Sequence, residues 1–114
     1  MVLQMRVTMT VAKVLRVFLE DPAAQCYGLE LMKATGLPSG SLYPVLARLE
    51  RAGWVRSSRE QIDPAAEGRP PRRYYELTPE GLEKARYELA ALAEQLRPPG
   101  HRVPRFPQPE GGHA

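Results

Sequence analysis

The stretch that decides the fold is PSGSLYPVLARLERAGWVRS, from Pro38 to Ser57, followed at residues 67–78 by EGRPPRRYYELT. After a beginning of small and polar residues, the first stretch repeats apolar residues at helical spacing, and a glycine ends the pattern. These residues are Leu42, Val45, Leu46 and Leu49, with Gly53 after them. The second stretch joins clustered arginines to a short run of β-forming residues. The order predicts a helix followed by a basic-tipped β-hairpin.

Two further helices are expected before this stretch. Residues 10–20 carry apolar side chains at the spacing of a helix with one buried face, and Asp21-Pro22 ends the pattern. A shorter helix is expected at residues 27–35, with Gly36 as its C′ residue. For the third helix we expect Ser39 or Gly40 as the N-cap. We expect Pro44 near its first turn, because a proline deeper in a helix removes a backbone hydrogen bond.

The hairpin is predicted to consist of two strands, at residues 54–59 and 72–77, with Trp54, Tyr75 and Leu77 facing inward and Tyr74 half exposed. Between them, residues 60–71 form a wing whose glycine and three prolines predict a mobile loop. Three helices and such a hairpin make up a winged helix-turn-helix, a mainly α fold with a small β-hairpin.

A long last helix is expected to begin with Thr78 as N-cap and Pro79 at the first helical position, and to run to about Arg97. Its apolar residues alternate at spacings of three and four, as in a coiled-coil seam. We therefore interpret it as a dimerisation helix, the alternative being a helix that only covers its own domain. The seam residues are Leu82, Ala85, Leu89, Leu92 and Leu96. The predicted organisation is a winged helix-turn-helix domain at 1–78, a dimerisation helix at 79–97 and a disordered Pro/Gly-rich tail at 98–114.

Composition limits the classes of protein to consider. A chain of 114 residues supports one domain, and a net charge of +3 with a pI of about 9.3 fits a nucleic-acid partner. Neither an export signal nor an apolar run long enough for a membrane span is present, and Cys26 is the single cysteine. We expect a cytoplasmic protein without a disulfide and without membrane association.

The sequence contains few residues or motifs that could act in catalysis. Both histidines, His101 and His113, lie in the tail, and no phosphate-binding glycine loop or metal-ligand spacing is present. We expect no enzymatic activity, no metal and no cofactor. Cys26 is interpreted as a small, inert thiol, with a redox sensor as the alternative.

Two basic elements point to duplex DNA. With its leucines turned inward, the third helix leaves hydroxyl and guanidinium groups outside, and these suit phosphates and base edges. Taken alone, that helix could equally have an ordinary solvated face. The clustered arginines of the wing, Arg69, Arg72 and Arg73, make DNA the better interpretation.

The runs LYPVLARLE (42–50) and RRYYELTPEG (72–81), with Gly53 between them, resemble PadR-type winged-helix transcriptional regulators, and Pro44 belongs to that family pattern. The resemblance covers residues 11–96. It implies a homodimeric repressor whose C-terminal helix mediates dimerisation and which a small-molecule effector often releases from DNA. The short length looks like the branch with one C-terminal helix. Members of that branch use Trp on this helix to bind flat aromatic drugs, whereas here its aromatic residue is Tyr87.

The resemblance also implies which residues face double-stranded DNA. They are Tyr27, Lys33, Ser39, Gly40, Ser41, Tyr43, Arg48, Arg69, Arg72 and Arg73. A two-fold dimer places two recognition helices in successive major grooves about 34 Å apart, so the expected operator is an inverted repeat. The rival hypothesis is a winged helix that serves as a protein-interaction module without specific DNA binding.

Overall fold

The structure, a computed structural model, describes residues 5–100 of the chain. Five helices and three strands follow one another in this part of the chain. In order, they are α1 (Met9–Glu20), β1 (Cys26–Tyr27), α2 (Gly28–Thr35), α3 (Ser39–Arg51), β2 (Val55–Arg59), α4 (Pro64–Glu67), β3 (Arg73–Leu77) and α5 (Pro79–Leu96). The predicted winged helix-turn-helix, mainly α with a small sheet, is confirmed.

The core is formed by the helical stripes that the sequence predicts. Apolar side chains of α1 and α3 are buried together with Leu31 of α2 and the inward residues of the sheet. From α1 they are Val11, Val14, Leu15 and Phe18, and from α3 they are Leu42, Val45, Leu46 and Leu49. Trp54, Tyr75 and Leu77 are buried as expected, and Tyr74 is half-buried.

The start of α3 differs from the expectation. Its N-cap is Pro38, which has an extended backbone and supplies no side-chain hydrogen bond, so Ser39 and Gly40 lie inside the helix. Pro44 is then the sixth helical residue, beyond the first turn where we expected it, and α3 continues past it to Arg51. Gly53 follows with a left-handed φ of 82°, the conformation that ends the helix as predicted.

The sheet has three antiparallel strands in the order β1-β3-β2, one strand more than the sequence predicted. In the missed strand β1, Cys26 pairs with Tyr75 and Tyr27 pairs with Tyr74. Two residues are too short for a recognisable alternation, so only the pairing with distant β3 defines the strand. This pairing fixes the start of α2 beside the wing.

The wing contains a helical turn that was not predicted, α4, at residues 64–67. The Asp63 carboxylate accepts a hydrogen bond from the Ala65 N–H at 3.1 Å, and Gly68 ends the turn with a φ of 71°. Asp, Pro and Gly are the usual signals of helix ends, here compressed into six residues. The predicted disordered tail lies, from residue 101 onward, outside the described residues.

α5 packs against α1, and its first half belongs to the core of the domain. Ala85 is 0% exposed in the single chain, so its side chain packs inside its own domain. Leu82 and Leu89 are partly buried against the same core, whereas Leu96 remains 59% exposed. The seam is therefore divided between the core and the surface.

Within residues 5–100, no helix is long and apolar enough to cross a membrane.

Candidate nucleic-acid interface

The outward face of α3 carries the polar residues that the sequence predicted there. Ser39, Gly40, Tyr43 and Arg48 are exposed and Ser41 is half-buried, while the four apolar residues of the helix face the core. Pro38 offers no side-chain cap, and its carbonyl accepts from the N–H groups of Ser41 and Leu42, so it is the N–H groups of Ser39 and Gly40 that can face an anion. This face can therefore bring backbone N–H groups, hydroxyls and a guanidinium group to a DNA groove.

Tyr43 is the largest exposed side chain on this face and lies across the start of α2. A Cβ atom built on Gly28 would be 2.0 Å from the Tyr43 hydroxyl oxygen, so the phenol occupies the space that a side chain at position 28 would need. Tyr43 is nevertheless 43% exposed. Its ring can contact DNA while one end rests on α2.

A depression of about 260 Å³ separates Tyr43 from strand β3. Its walls are mainly aromatic rings and guanidinium groups from β1, α3 and the segment of β3, and the start of α2 completes the lining. The lining residues are Tyr27, Gly28, Leu29, Tyr43, Arg72, Arg73 and Tyr75. Four of the predicted DNA-facing residues, Tyr27, Tyr43, Arg72 and Arg73, thus meet at one place on the surface. Gly28, Leu29 and Tyr75 were not predicted to lie at this site.

The two arginines at the base of the wing are held by neighbouring side chains. The Arg72 guanidinium carbon lies 4.6 Å from the centre of the Tyr27 ring, a cation–π contact, and Tyr27 meets Tyr74 edge-on at 5.7 Å. Arg73 donates to the Ser57 hydroxyl at 2.9 Å. These contacts orient both cations beside the depression while leaving them exposed.

A second link ties this part of the wing to α3. The Ser57 hydroxyl that accepts from Arg73 donates in turn to the Glu50 carboxylate at 2.8 Å. Glu50 lies in the last turn of α3, so this chain of hydrogen bonds connects α3 to both wing strands. The positions of α3 and of the wing arginines are therefore coupled.

Arg69, one of the predicted DNA-facing residues, is paired with a carboxylate of the wing. Its guanidinium donates two hydrogen bonds to the Glu60 carboxylate, at 2.8 and 3.1 Å. Glu60 also accepts from the Arg72 N–H at 3.1 Å. The side-chain hydrogen bond from Arg69, and then the backbone bond from Arg72, lower the pKa of Glu60 to about 2. Sequence reasoning missed Glu60, because the partner that gives it a role lies nine residues away.

The tip of the wing is acidic. Residues 61–68 contain Asp63 and Glu67 but neither lysine nor arginine. Because Arg69 is paired with Glu60, the positive charge lies at the base of the wing, at Arg72 and Arg73.

Lys33 is exposed in the last turn of α2.

Cys26 lies in β1, and its environment argues against a reactive thiolate. Burial raises the pKa of its thiol, and the nearby Glu30 and Asp21 carboxylates raise it further. A higher pKa means less thiolate at neutral pH, and the thiolate is the form that reacts with oxidants.

The fold and this face define a winged-helix protein of the DNA-binding regulator class. Comparison with known families agrees: residues 19–87, more than half of the chain, match the transcriptional regulator PadR-like family. The chain therefore belongs to this family, whose members are regulators and not enzymes. The comparison with curated proteins found no match.

Several solved structures share the fold. The chain is similar to a PadR-like transcription factor from Bacteroides fragilis, with 21% identity, a TM-score of 0.63 and coverage of 76% of this chain and 82% of that one. A transcriptional regulator from Clostridium thermocellum has 22% identity and a TM-score of 0.61, and the match covers 75% of this chain and 82% of that one. A PadR family regulator from Clostridium difficile R20291 has 24% identity and a TM-score of 0.55, and the match covers 77% of this chain and 97% of that one.

Proposed function

We propose that this protein is a cytoplasmic, homodimeric repressor that binds an inverted-repeat operator through α3 and the base of the wing. The observation that carries the proposal is the meeting of Tyr27, Tyr43, Arg72 and Arg73 around one depression beside the exposed face of α3. Hydroxyl and guanidinium groups at the edge of a helix can position a DNA backbone and read a major groove.

The proposed roles differ along the interface. Residues 39–43 and Arg48 enter the major groove, with Arg48 as the candidate for bidentate contact with guanine. Arg72, Arg73 and Lys33 contact phosphates. Arg69 supports the wing through Glu60 and does not enter the minor groove, since its guanidinium is already paired and the adjoining tip is acidic.

Dimerisation is proposed through the part of α5 that the domain does not cover. Leu96 is exposed, and Leu92 is partly exposed one turn before it. Two copies that pack these residues together would bury apolar surface and pair two recognition helices. Release by a small-molecule effector is proposed from family membership alone.

Fluorescence anisotropy tests the proposal. The full chain is titrated onto labelled DNA from upstream of its own gene and onto a scrambled duplex of the same composition, at several salt concentrations. Tight binding to the first duplex with a steep negative salt slope supports a sequence-reading regulator, and footprinting then locates the inverted repeat. Binding to neither duplex at low salt contradicts the proposal and favours the protein-interaction module.

Repression and effector release need separate measurements. A reporter gene behind the footprinted operator should be silenced by the protein, and activation of the reporter would contradict a repressor. Adding small molecules to the preformed complex and following the loss of anisotropy tests for an effector.

A further inference from the structure

Gly28, the first residue of α2, is buried under the phenol of Tyr43. A Cβ atom at position 28 would lie 2.0 Å from the Tyr43 hydroxyl oxygen, 2.8 Å from Cζ and 3.1 Å from Cε1. These distances are far below van der Waals contact, so the observed Tyr43 position requires that residue 28 have no side chain.

The obstacle at Gly28 is the end of a side chain. Gly81, by contrast, faces backbone atoms of Trp54, which cannot turn away. The three atoms nearest to a Cβ at position 28 all belong to the outer end of the Tyr43 side chain, and Gly28 is not among the glycines with positive φ. Alanine at position 28 can therefore keep the α2 backbone in place, provided that Tyr43 moves.

We propose that Gly28 is the positioning residue for Tyr43 on the DNA-facing surface. The missing side chain lets the phenol lie across the start of α2 at the edge of the depression that Arg72 and Arg73 also line. With alanine at position 28, the ring moves from this place and its hydroxyl no longer points to the same phosphate or base. The expected effect of Gly28 on DNA affinity rests on the proposed DNA binding.

An ordinary packing role for Gly28 makes different predictions. If glycine were needed only for the close approach of α2 and α3, alanine would lower stability whether or not Tyr43 were present. If glycine positions Tyr43, alanine lowers DNA affinity in the wild-type background but has little further effect once residue 43 is itself alanine. A double-mutant cycle separates the two roles.

The experiment uses the full chain as wild type, Gly28→Ala, Tyr43→Ala and the double variant, each titrated onto the footprinted operator by anisotropy. We expect Gly28→Ala and Tyr43→Ala each to weaken binding about tenfold, the loss of one hydrogen bond to a charged group. The double variant should bind as Tyr43→Ala does, with melting temperatures close to that of wild type.

A second readout follows Tyr43 without DNA. The protein is labelled with 3-fluorotyrosine, and its Tyr43 ¹⁹F resonance is assigned by its loss in Tyr43→Phe. Gly28→Ala should shift this resonance strongly. The matched control is Gly40→Ala, where an added Cβ meets no atom within 4 Å and should leave the resonance nearly in place.

The outcomes are distinct. Additive losses of affinity, an unchanged Tyr43 resonance, or a large drop in melting temperature that persists in the Tyr43→Ala background would each overturn the positioning role. Failure of wild type to bind any duplex would instead overturn the proposed function, and with it the expected effect of Gly28 on DNA affinity. The ¹⁹F shift would then still decide whether Gly28 positions Tyr43.

Discussion

Gly81, in the first turn of α5, lies against the backbone of Trp54 so closely that a Cβ atom at position 81 would be 1.8 Å from the Trp54 carbonyl oxygen. Thr78 strengthens the same contact: its N–H donates to that oxygen at 2.9 Å, and its hydroxyl donates to the Gly53 carbonyl at 2.7 Å. The start of α5 is thus docked on the turn that ends α3, which links the proposed dimerisation helix to the proposed DNA-reading helix.

Gly81→Ala should destabilise the domain. The added methyl group overlaps backbone atoms, so α5 must shift away from the α3–β2 turn, at a cost of about 1–3 kcal/mol. Urea denaturation followed by circular dichroism measures this loss. Gly40→Ala is the matched control, because its Cβ meets no atom within 4 Å. Equal midpoints for the two variants would contradict the close contact.

Thr78→Val should cost about 2 kcal/mol of unfolding free energy. About 1 kcal/mol comes from the lost N-cap, since the Thr78 hydroxyl accepts from the Gly81 N–H, and about 1 from the bond to the Gly53 carbonyl. Thr8→Val is a suitable comparison, because Thr8 caps α1 through one bond to the Val11 N–H. Its cost should be only about 1 kcal/mol by the same reasoning. A smaller effect at Thr78 than at Thr8 would show that docking of α5 does not depend on the hydroxyl.

Local sequence signals predicted most of this fold. Thr78 and Pro79 predicted the start of α5, Gly53 predicted the end of α3, and the apolar spacing of α1 and α3 predicted their buried faces. These signals act within one turn of helix, so they can be read from neighbouring residues. The predicted DNA-facing set also includes four of the residues that line the depression.

The features that the sequence did not predict depend on distant partners. β1 exists through pairing with β3, about fifty residues later in the chain. The role of Gly28 depends on Tyr43, that of Glu60 on Arg69, and the burial of Ala85 on the packing of α5 against α1. No periodicity within a single element carries this information.

Glu60 should titrate far below an ordinary glutamate. Its pKa in the folded protein is about 2 against an ordinary 4.5. Because the folded pKa is lowered, the carboxylate stabilises the wing fully above about pH 4.5, and this contribution is lost as the pH falls through about 2. The ¹³C shift of the Glu60 carboxyl group, followed by NMR during an acid titration, should show this low midpoint. A midpoint near 4.5 would mean that the pair with Arg69 does not form in solution.

Glu60→Gln should loosen the wing at neutral pH, since the neutral amide loses the charge-assisted hydrogen bonds to Arg69. Thermolysin cleavage before the half-buried Ile62 reports this opening and should become faster. Glu67→Gln removes the same charge from the exposed tip of the wing and should leave the cleavage rate close to that of wild type. Equal rates for the two variants would contradict a specific role of Glu60.

Leu96→Glu should convert the proposed dimer to monomers without unfolding the domain. Leu96 is 59% exposed in the single chain, so the charge harms only an interface that covers it. Sedimentation velocity at micromolar concentration measures the mass. Tyr87→Glu is the control, because Tyr87 is 70% exposed and, nine residues earlier, lies on the opposite side of α5. A monomeric wild type, or equal dissociation by both variants, would contradict dimerisation through this face.

Arg48→Ala should separate base reading from phosphate binding. If Arg48 reads guanine, the variant loses about 1–3 kcal/mol on the operator and much less on a scrambled duplex. If it contacts phosphate, the loss is equal on both duplexes and the salt slope falls by about 1. Arg51→Ala is the matched control, since Arg51 is also exposed in the last turn of α3 and carries the same charge. Residues three apart lie about 60° from each other around a helix and are neighbours on its surface, so a general charge effect would weaken both variants by a similar amount. A loss confined to Arg48 and to the operator would identify this side chain as a reader of the sequence, and unchanged affinity on both duplexes would remove it from the interface.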